Sequence, residues 1–282
     1  MKKILFSILF LFFVQSEANS KSILIKPKQI LDVRSGKMIN ADILIESGVI
    51  KEVSRNIPVL IEYEIIELPD TTILPGLMDA HVHLTGNTDL KGHEGISESS
   101  YLATIYGVKN AKQTLMSGFT TVRNVGASNY SDVALRDGIE QKAILGPTLL
   151  VSGPPLGITG GHCDSNILPA EYEYKAQGVA DGPWEVRRKV RENKKYGVDL
   201  IKYCATGGVM SKGTNVNNRQ YTLDEMKAII DEAHTLGMKV AAHAHGLDGI
   251  RMAIDAGVDS VEHSSLIDHE TVNLAISNNV FL

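Results

Sequence analysis

LPGLMDAHVHL, residues 74–84, places His81 and His83 two residues apart at the end of an apolar run. Side chains two residues apart lie on the same face of a β-strand. Two neutral imidazoles on one face supply half of a site for a divalent metal, and zinc is the ion most often held by such ligands. A single His-x-His motif is equally compatible with two ordinary histidines, so the rest of the chain has to distinguish these interpretations.

Downstream of this stretch, strand-like runs alternate with helical ones. Strands are predicted at residues 78–84, 119–126, 148–155, 198–204, 239–246 and 258–263. Helices are predicted at residues 101–117, 133–144, 184–196, 222–237, 247–256 and 268–278. Thr222 and Glu225 have the spacing of a capping box at the start of one helix. The alternation predicts an α/β fold built from parallel βαβ units.

The chemically reactive side chains of these runs fall at the carboxyl ends of the predicted strands. They are His81, His83, Lys202, His243 and His263. A (β/α)8 TIM barrel places its active site at this end of its strands. An open doubly wound sheet also binds ligands at strand ends, but only near a switch point. Groups contributed by several strands therefore favour the barrel.

Lys202 lies in the apolar run VDLIKYC, where a buried and unpaired ammonium would be costly. One interpretation is that its amine reaches solvent or pairs with an acid. The interpretation favoured by the histidines on neighbouring strands is a neutral lysine that carries CO2 as a carbamate and bridges two metal ions. Two ions about 3.5–4 Å apart can share a hydroxide and polarise a carbonyl, which predicts hydrolysis of an amide-like bond.

Five motifs resemble the amidohydrolase superfamily in their order and spacing, and most closely its imidazolonepropionase-like group, which includes Xaa-Pro dipeptidases. These motifs are LPGLMDAHVHL, GFTTVRNVG, VDLIKYCATGGVMS, KVAAHAHG and AGVDSVEHSSLID. The resemblance implies two divalent ions, with zinc as the expected metal. It implies that His81 and His83 bind the more buried ion and that His243 and His263 bind the other. Lys202 would bridge the two ions as a carboxylated lysine.

The same resemblance suggests residues that face the substrate. His162, after the third strand, resembles a position that contacts the substrate carbonyl, with a plain loop histidine as the alternative. His245 is expected to support the metal ligands or to face the substrate. Arg219 and Tyr221, in the loop after the fourth strand, are candidates for binding a substrate carboxylate. Arg123 lies either near the site or in an ion pair inside the barrel.

Two segments precede the predicted barrel of residues 76–282. Residues 1–20 have the pattern of a secretory signal peptide, with two lysines followed by an apolar run that is too short to span a bilayer. This predicts a periplasmic or secreted protein without a stable membrane span after cleavage, and an uncleaved anchor is the alternative. Residues 21–75 alternate short β-rich runs with turns, which predicts a small β-sandwich-like domain with the connections of a β-meander.

Composition limits the classes of partner. The net charge of −5 argues against a nucleic-acid partner, which would require a basic stripe, and favours a small-molecule substrate. Oligomeric state stays open, including a homo-oligomer. The two cysteines, Cys163 and Cys204, exclude a disulfide framework and leave open a single bridge between them.

The chain departs from the family pattern at its C-terminal end. The resemblance implies an aspartate at the end of strand eight that binds metal and shuttles a proton, whereas this sequence ends as strand seven begins. We therefore expect an incomplete barrel that lacks the last strands, with poor solubility and little turnover. Two alternatives stand beside the binuclear hydrolase. One is a mononuclear deaminase of the same superfamily, against which Lys202 argues, and the other is an inactive exported fragment that only binds.

Overall fold

The computed structural model describes residues 22–87, 89–90 and 94–282. The predicted signal peptide, residues 1–20, lies outside the described residues. The chain divides into two compact units after Pro75, and each is described by itself. In the described ranges, the helices are too short or too polar to cross a membrane.

The first unit is a five-stranded sheet with the strand order β2-β1-β3-β4, in which β5 also pairs with β1. Its strands are β1 Ile23–Asp32, β2 Lys37–Ile39, β3 Asp42–Glu46, β4 Val49–Ser54 and β5 Glu64–Ile73. Leu24 and Leu44 pair in register and pack with Ile57. Ile30, Ala41 and Ile43 form a separate cluster, so the adjacent β3 residues Ile43 and Leu44 are buried on opposite faces of the strand.

The prediction of a β-meander for this unit is wrong at two connections, and the first is that β3 pairs with β1 instead of β2. β5 pairs in parallel with β1, starting with Ile23 opposite Glu64, and does not return antiparallel to β4. A parallel partner needs a longer connection than a hairpin allows. The connection from β1 to β5 runs over residues 33–63, and Pro58 within it cannot donate a hydrogen bond to a sheet ladder.

The second unit alternates strands and helices in the predicted order, which confirms the α/β class. Its strands are β6 Leu77–Val82, β7 Phe119–Asn124, β8 Thr148–Val151, β9 Leu200–Cys204, β10 Lys239–Ala244 and β11 Ser260–His263. Its helices are α1 Glu94–Ser97, α2 Ser100–Met116, α3 Ser131–Glu140, α4 Pro183–Lys195, α5 Leu223–Thr235, α6 Leu247–Asp255 and α7 His269–Ser277, with a 3-10 turn at Ala170–Tyr172.

The strands of the second unit form two parallel three-stranded sheets, β6-β7-β8 and β9-β10-β11. Leu156, after β8, connects them. Its N–H donates to the carbonyl of Lys202 at 2.8 Å, and its own carbonyl accepts from the N–H of Cys204 at 2.9 Å. The carboxyl ends of the parallel strands therefore follow one another along a single edge.

Strand β9 shows how the sequence places Lys202. Ile201 and Tyr203 belong to the large apolar cluster that also contains Val186 of α4 and Ile229 of α5. Leu200 instead packs with Val125 and Ala241 in a small separate cluster. Because successive residues of a strand point to opposite faces, Lys202 lies on the face of Leu200, away from the helices.

Helix α5 begins with the predicted capping box. The hydroxyl of Thr222 accepts from the N–H of Glu225, and the Glu225 carboxylate accepts from the N–H of Thr222 at 2.8 Å. Two N–H groups that the first helical turn leaves without partners are thereby satisfied. The box stabilises the helix that packs against α4 and β10.

We expect Thr222→Ala to lower the free energy of unfolding by about 1 kcal/mol, because the helix loses its cap. Urea-induced unfolding followed by circular dichroism would measure the loss. Thr235→Ala is the matched control, since Thr235 is exposed at the other end of the same helix. An equal effect of both substitutions would contradict the capping role.

Candidate metal centre

Side chains from six strand ends or the loops after them line one cavity of about 410 Å³. Its polar lining consists mainly of His81, His83, His162, Lys202, His243, His245 and His263. The strand ends meet as expected from the sequence, and residues far apart along the chain share one space.

His81 and His83 each use one ring nitrogen for a hydrogen bond within the protein. Nδ1 of His81 lies 2.8 Å from Oε2 of Glu262, and Nδ1 of His83 lies 3.2 Å from the carbonyl oxygen of Gly126. A carboxylate and a carbonyl only accept, so Nδ1 of each ring is the donor. The lone pair of each ring is therefore on Nε2, which is left available to a metal.

His243 uses the other ring nitrogen, Nε2, for its hydrogen bond within the protein. Its Nε2 lies 3.2 Å from the carbonyl oxygen of Gly207, which places the proton on Nε2 and the lone pair on Nδ1. The His263 ring lies 4.8 Å from the His243 ring and 4.7 Å from the His81 ring, between centroids. His263 and Ser264 both adopt left-handed backbone angles, with φ of 73° and 46°, so the chain turns sharply where β11 ends.

His245 joins this group more closely than the sequence suggested. One ring nitrogen from each of His243, His245 and His263 lies within 4.8 Å of the others. Nδ1 of His245 is 2.8 Å from the hydroxyl of Ser265, and its ring stacks on that of His263. His245 is therefore a candidate ligand beside the two predicted ones, as well as a candidate for facing the substrate.

Lys202 is only 4% exposed. In the described part of the chain its amine has no hydrogen bond or ion-pair partner, and Glu262 acts on it only at longer range. Burial lowers the pKa of Lys202 to about 8, with Glu262 opposing the shift and Arg123 adding to it. A larger fraction of this amine is neutral at pH 7 than in an ordinary lysine.

Three of the imidazoles are neutral at the same pH. Burial lowers the pKa of His83 and of His263 to about 4 and that of His243 to about 2, and the positive charge of Lys202 acts in the same direction. Neutral imidazoles have the lone pair that a metal requires. The cavity therefore presents several metal-binding nitrogens without first releasing protons.

His162 lies against the candidate ligands. Its ring stacks on that of His243 with 4.2 Å between centroids, and its Nδ1 is 2.9 Å from the hydroxyl of Ser211. The ring also fills the space in front of Gly208, where an added Cβ would be 2.2 Å from the imidazole. The structure thus brings His162 to the cavity that the candidate metal ligands line.

Cys163 and Cys204 form a disulfide, with their Cα atoms 6.1 Å apart. The bridge connects the loop that carries His162 to the end of β9, two residues from Lys202. The sequence left this pairing open. The covalent connection fixes the loop beside the cavity.

Arg219 and Tyr221 do not line the cavity. Tyr221 is 1% exposed, and its hydroxyl donates to the carbonyl of Ala180 at 3.1 Å. Arg219 pairs with Asp248 at 3.3 Å. Their role in binding a substrate carboxylate stays a prediction that the structure does not support.

Sequence reasoning missed the groups that orient the imidazoles. Glu262 could have been recognised from the sequence, because it lies in β11, two residues after Ser260 and directly before the predicted ligand His263. The carbonyls of Gly126 and Gly207 could not have been, since every residue carries a carbonyl. Arg123 was expected either near the site or in an ion pair, and it meets both descriptions. It forms an ion pair with Glu262, whose carboxylate contacts His81.

Comparison with known proteins identifies the family. The model described as "Amidohydrolase family" matches residues 72–282. The chain belongs to the amidohydrolase family. The family expected from the sequence motifs is thereby confirmed.

Relatives of this amidohydrolase include hydrolases of different names. Ochratoxinase from Aspergillus niger is 35% identical over 221 residues, which are 72% of this chain and 45% of the relative. Imidazolonepropionase from Fusobacterium nucleatum subsp. nucleatum is 24% identical over 281 residues, 86% of this chain and 62% of the relative. This chain thus spans about half of the first relative and somewhat more of the second.

Solved structures show the same fold. A Xaa-Pro dipeptidase with methionine bound in its active site has a TM-score of 0.83 and 35% identity, covering 92% of this chain and 65% of that one. This amidohydrolase therefore has the fold of that enzyme over the part of it that the chain covers.

We expect the metal-free protein to lose stability as pH falls below about 6.5, the pKa of an imidazole in an unfolded chain. Because burial holds the pKa of His243 at about 2 and that of His83 at about 4, the unfolded chain binds more protons in this range. Thermal unfolding of chelator-treated protein should show a Tm lower by on the order of 5 °C at pH of about 4.5 than at about 7.

His243→Asn should weaken this pH dependence. His269→Gln is the matched control, because His269 is exposed at the start of α7. A Tm that does not change with pH in this range would show that the imidazoles are not held neutral by burial.

We expect a thiol reagent to find no free thiol in the unfolded but unreduced protein, because Cys163 and Cys204 are paired. The bridge closes a sequence separation of 41 residues, and loops of this size contribute about 2–4 kcal/mol to stability. Cys163→Ser should lower the free energy of unfolding by this amount. Dithiothreitol should destabilise the parent protein but not the variant, and equal sensitivity of the two would count against the bridge.

Proposed function

We propose that this chain carries the metal centre of a binuclear amidohydrolase that cleaves the C–N bond of a small amide or peptide. One observation carries the proposal. The buried amine of Lys202 and several imidazoles, each with a free ring nitrogen, line the same cavity. An Xaa-Pro dipeptide is the substrate class we favour.

The donor set suits divalent ions. His81 and His83 would hold one ion through Nε2, and His243 and His263 would hold the other, with His245 beside them. Imidazole nitrogens are ordinary zinc ligands. When bound, the ions supply Lewis acidity and draw a nucleophile from water at neutral pH.

The charge of the cavity is the argument for a carbamate on Lys202. In the described part of the chain no aspartate or glutamate lines this cavity. Neutral imidazoles alone would leave the charge of two dications uncompensated. The neutral Lys202 amine can form an N–C bond with CO2 and release one proton, which gives an anionic carbamate with two oxygen donors.

His162 is placed to act on the substrate. It lies against His243, and its Nδ1 is engaged by Ser211, so its Nε2 is free to approach a carbonyl. Burial lowers the pKa of His162 below the ordinary value, and neighbouring positive charge adds to the shift. We propose that the neutral ring of His162 orients the substrate carbonyl, with His245 facing the substrate from the other side.

The apolar part of the cavity supports a substrate with a small apolar group. Val125 and Pro155 form part of its wall, and Val209 and Met210, in the loop after β9, also line it. Val209 and Met210 are 74% and 91% exposed, so an apolar group bound there would cover them. A proline ring fits this lining. A solved prolidase complexed with N-methylphosphonate-L-proline is 31% identical to this chain, with a TM-score of 0.82.

We also propose that the protein is exported. The pattern of residues 1–20 supports this, and a Cys163–Cys204 bridge fits an oxidising compartment. We further infer that the parallel strands β6 to β11 are the first strands of a (β/α)8 barrel. Their order along one edge and the likeness to solved amidohydrolases support that arrangement.

We expect Lys202→Ala to weaken binding of the second zinc ion by at least about 100-fold, because the bridging ligand is lost. Zinc content after gel filtration would measure this. The parent protein should retain two ions per chain and should show a carbamate signal by carbon NMR after incubation with ¹³C-bicarbonate. Lys189→Ala is the matched control, because Lys189 is also buried but lies on α4 and contacts Glu192.

Hydrolysis of a library of Xaa-Pro and other dipeptides, with and without chelator, tests the reaction itself. Activity that is lost with chelator and restored with zinc would support the proposal. One ion per chain and no carbamate signal would contradict it and favour the mononuclear deaminase. Two ions without hydrolysis of any dipeptide would contradict the proposed substrate class.

A further inference from the structure

We propose that Glu262 is a positioning residue of the metal centre: its carboxylate holds Nδ1–H of His81 and thereby turns Nε2 of that ring toward the metal. This inference rests on the proposed function, because it assigns His81 as a ligand. It adds a residue that none of the sequence motifs had marked as part of the site.

The two oxygens of Glu262 have different partners. Oε2 accepts from Nδ1 of His81 at 2.8 Å. Oε1 accepts from Nη2 of Arg123 at 2.5 Å and from the hydroxyl of Ser260 at 2.8 Å. The charge of the carboxylate is compensated at Oε1 by Arg123, which leaves Oε2 to His81.

Arg123 contacts both the Glu262 carboxylate and the backbone next to His81. Its Nε donates to the carbonyl of Ala80 at 2.7 Å, and its Nη1 donates to the hydroxyl of Ser260 at 3.1 Å. Ala80 immediately precedes His81 in β6, so one guanidinium holds the backbone before His81 and the carboxylate behind its ring. Rotation of the His81 ring would break the bond to Glu262.

A purely structural role does not account for this carboxylate. The Glu262 side chain is only 6% exposed, and a buried ion pair is often no more stable than an apolar pair of similar volume. An apolar pair would leave Nδ1 of His81 without an acceptor. A carboxylate bound to the far nitrogen of a ligand histidine fixes its tautomer and makes the other nitrogen a stronger ligand.

Glu262→Gln tests the proposal with little change in volume. Cobalt(II) titration followed by visible absorption should show that one of two ions binds about 10- to 100-fold more weakly, because a neutral amide orients the His81 ring less well. Glu232→Gln is the matched control. Glu232 is buried on α5 and pairs with Arg187 and Arg191, away from the cavity. It should lose stability but bind both ions as the parent does.

A measurement on the parent protein does not depend on how well the variant folds. Long-range ¹H–¹⁵N NMR of the metal-free protein at neutral pH should show His81 protonated at Nδ1. Protonation at Nε2, or unchanged binding of both cobalt ions by Glu262→Gln, would overturn the role of Glu262 while leaving the proposed function intact. Failure of the parent to bind a pair of ions would instead refute the proposed function.

Discussion

An imidazole can bind a metal only through a nitrogen that carries no proton, and this requirement would govern any metal centre in the cavity. The protein meets it by giving the other nitrogen an acceptor that cannot donate. Glu262 does so for His81, and the carbonyls of Gly126 and Gly207 do so for His83 and His243. The lone pairs are thus directed by backbone and side-chain acceptors from different strand ends, so the cavity depends on the strands keeping their register.

Parallel pairing supplies that register. His243 of β10 lies opposite Glu262 of β11 and opposite Cys204 of β9. Lys202 lies one layer deeper, opposite Ala241, whose small side chain leaves room for the amine. The ion pair between Arg123 of β7 and Glu262 of β11 then joins the two three-stranded sheets through their inner face. Position in the sheet, and not proximity along the chain, brings the reactive groups together.

The sequence was sufficient to predict most of this arrangement, because hydrophobic periodicity marks the strands and polar residues interrupt it only at their ends. His81, His83, Lys202, His243 and His263 were found in that way. The parallel pairing of β5 with β1 was missed, since no local pattern encodes which distant strand a segment joins. The position of Tyr221 in the loop after the fourth strand predicts that it faces the site, but its ring is buried beside Tyr203.

Gly207 and Gly208 have a consequence for how the sequence around the cavity could vary. Both have ordinary negative backbone angles, and both are surrounded so closely that an added Cβ would meet the Asn215 carbonyl oxygen at 2.3 Å or the His162 ring at 2.2 Å. Glycine is needed at these two positions because no side chain fits there, and not because the backbone adopts an unusual conformation. In a directed-evolution library, substitutions at Gly207 and Gly208 would therefore not be tolerated. Variation would begin at Val209 and Met210, the next residues along the loop, whose side chains can be exchanged without displacing an imidazole.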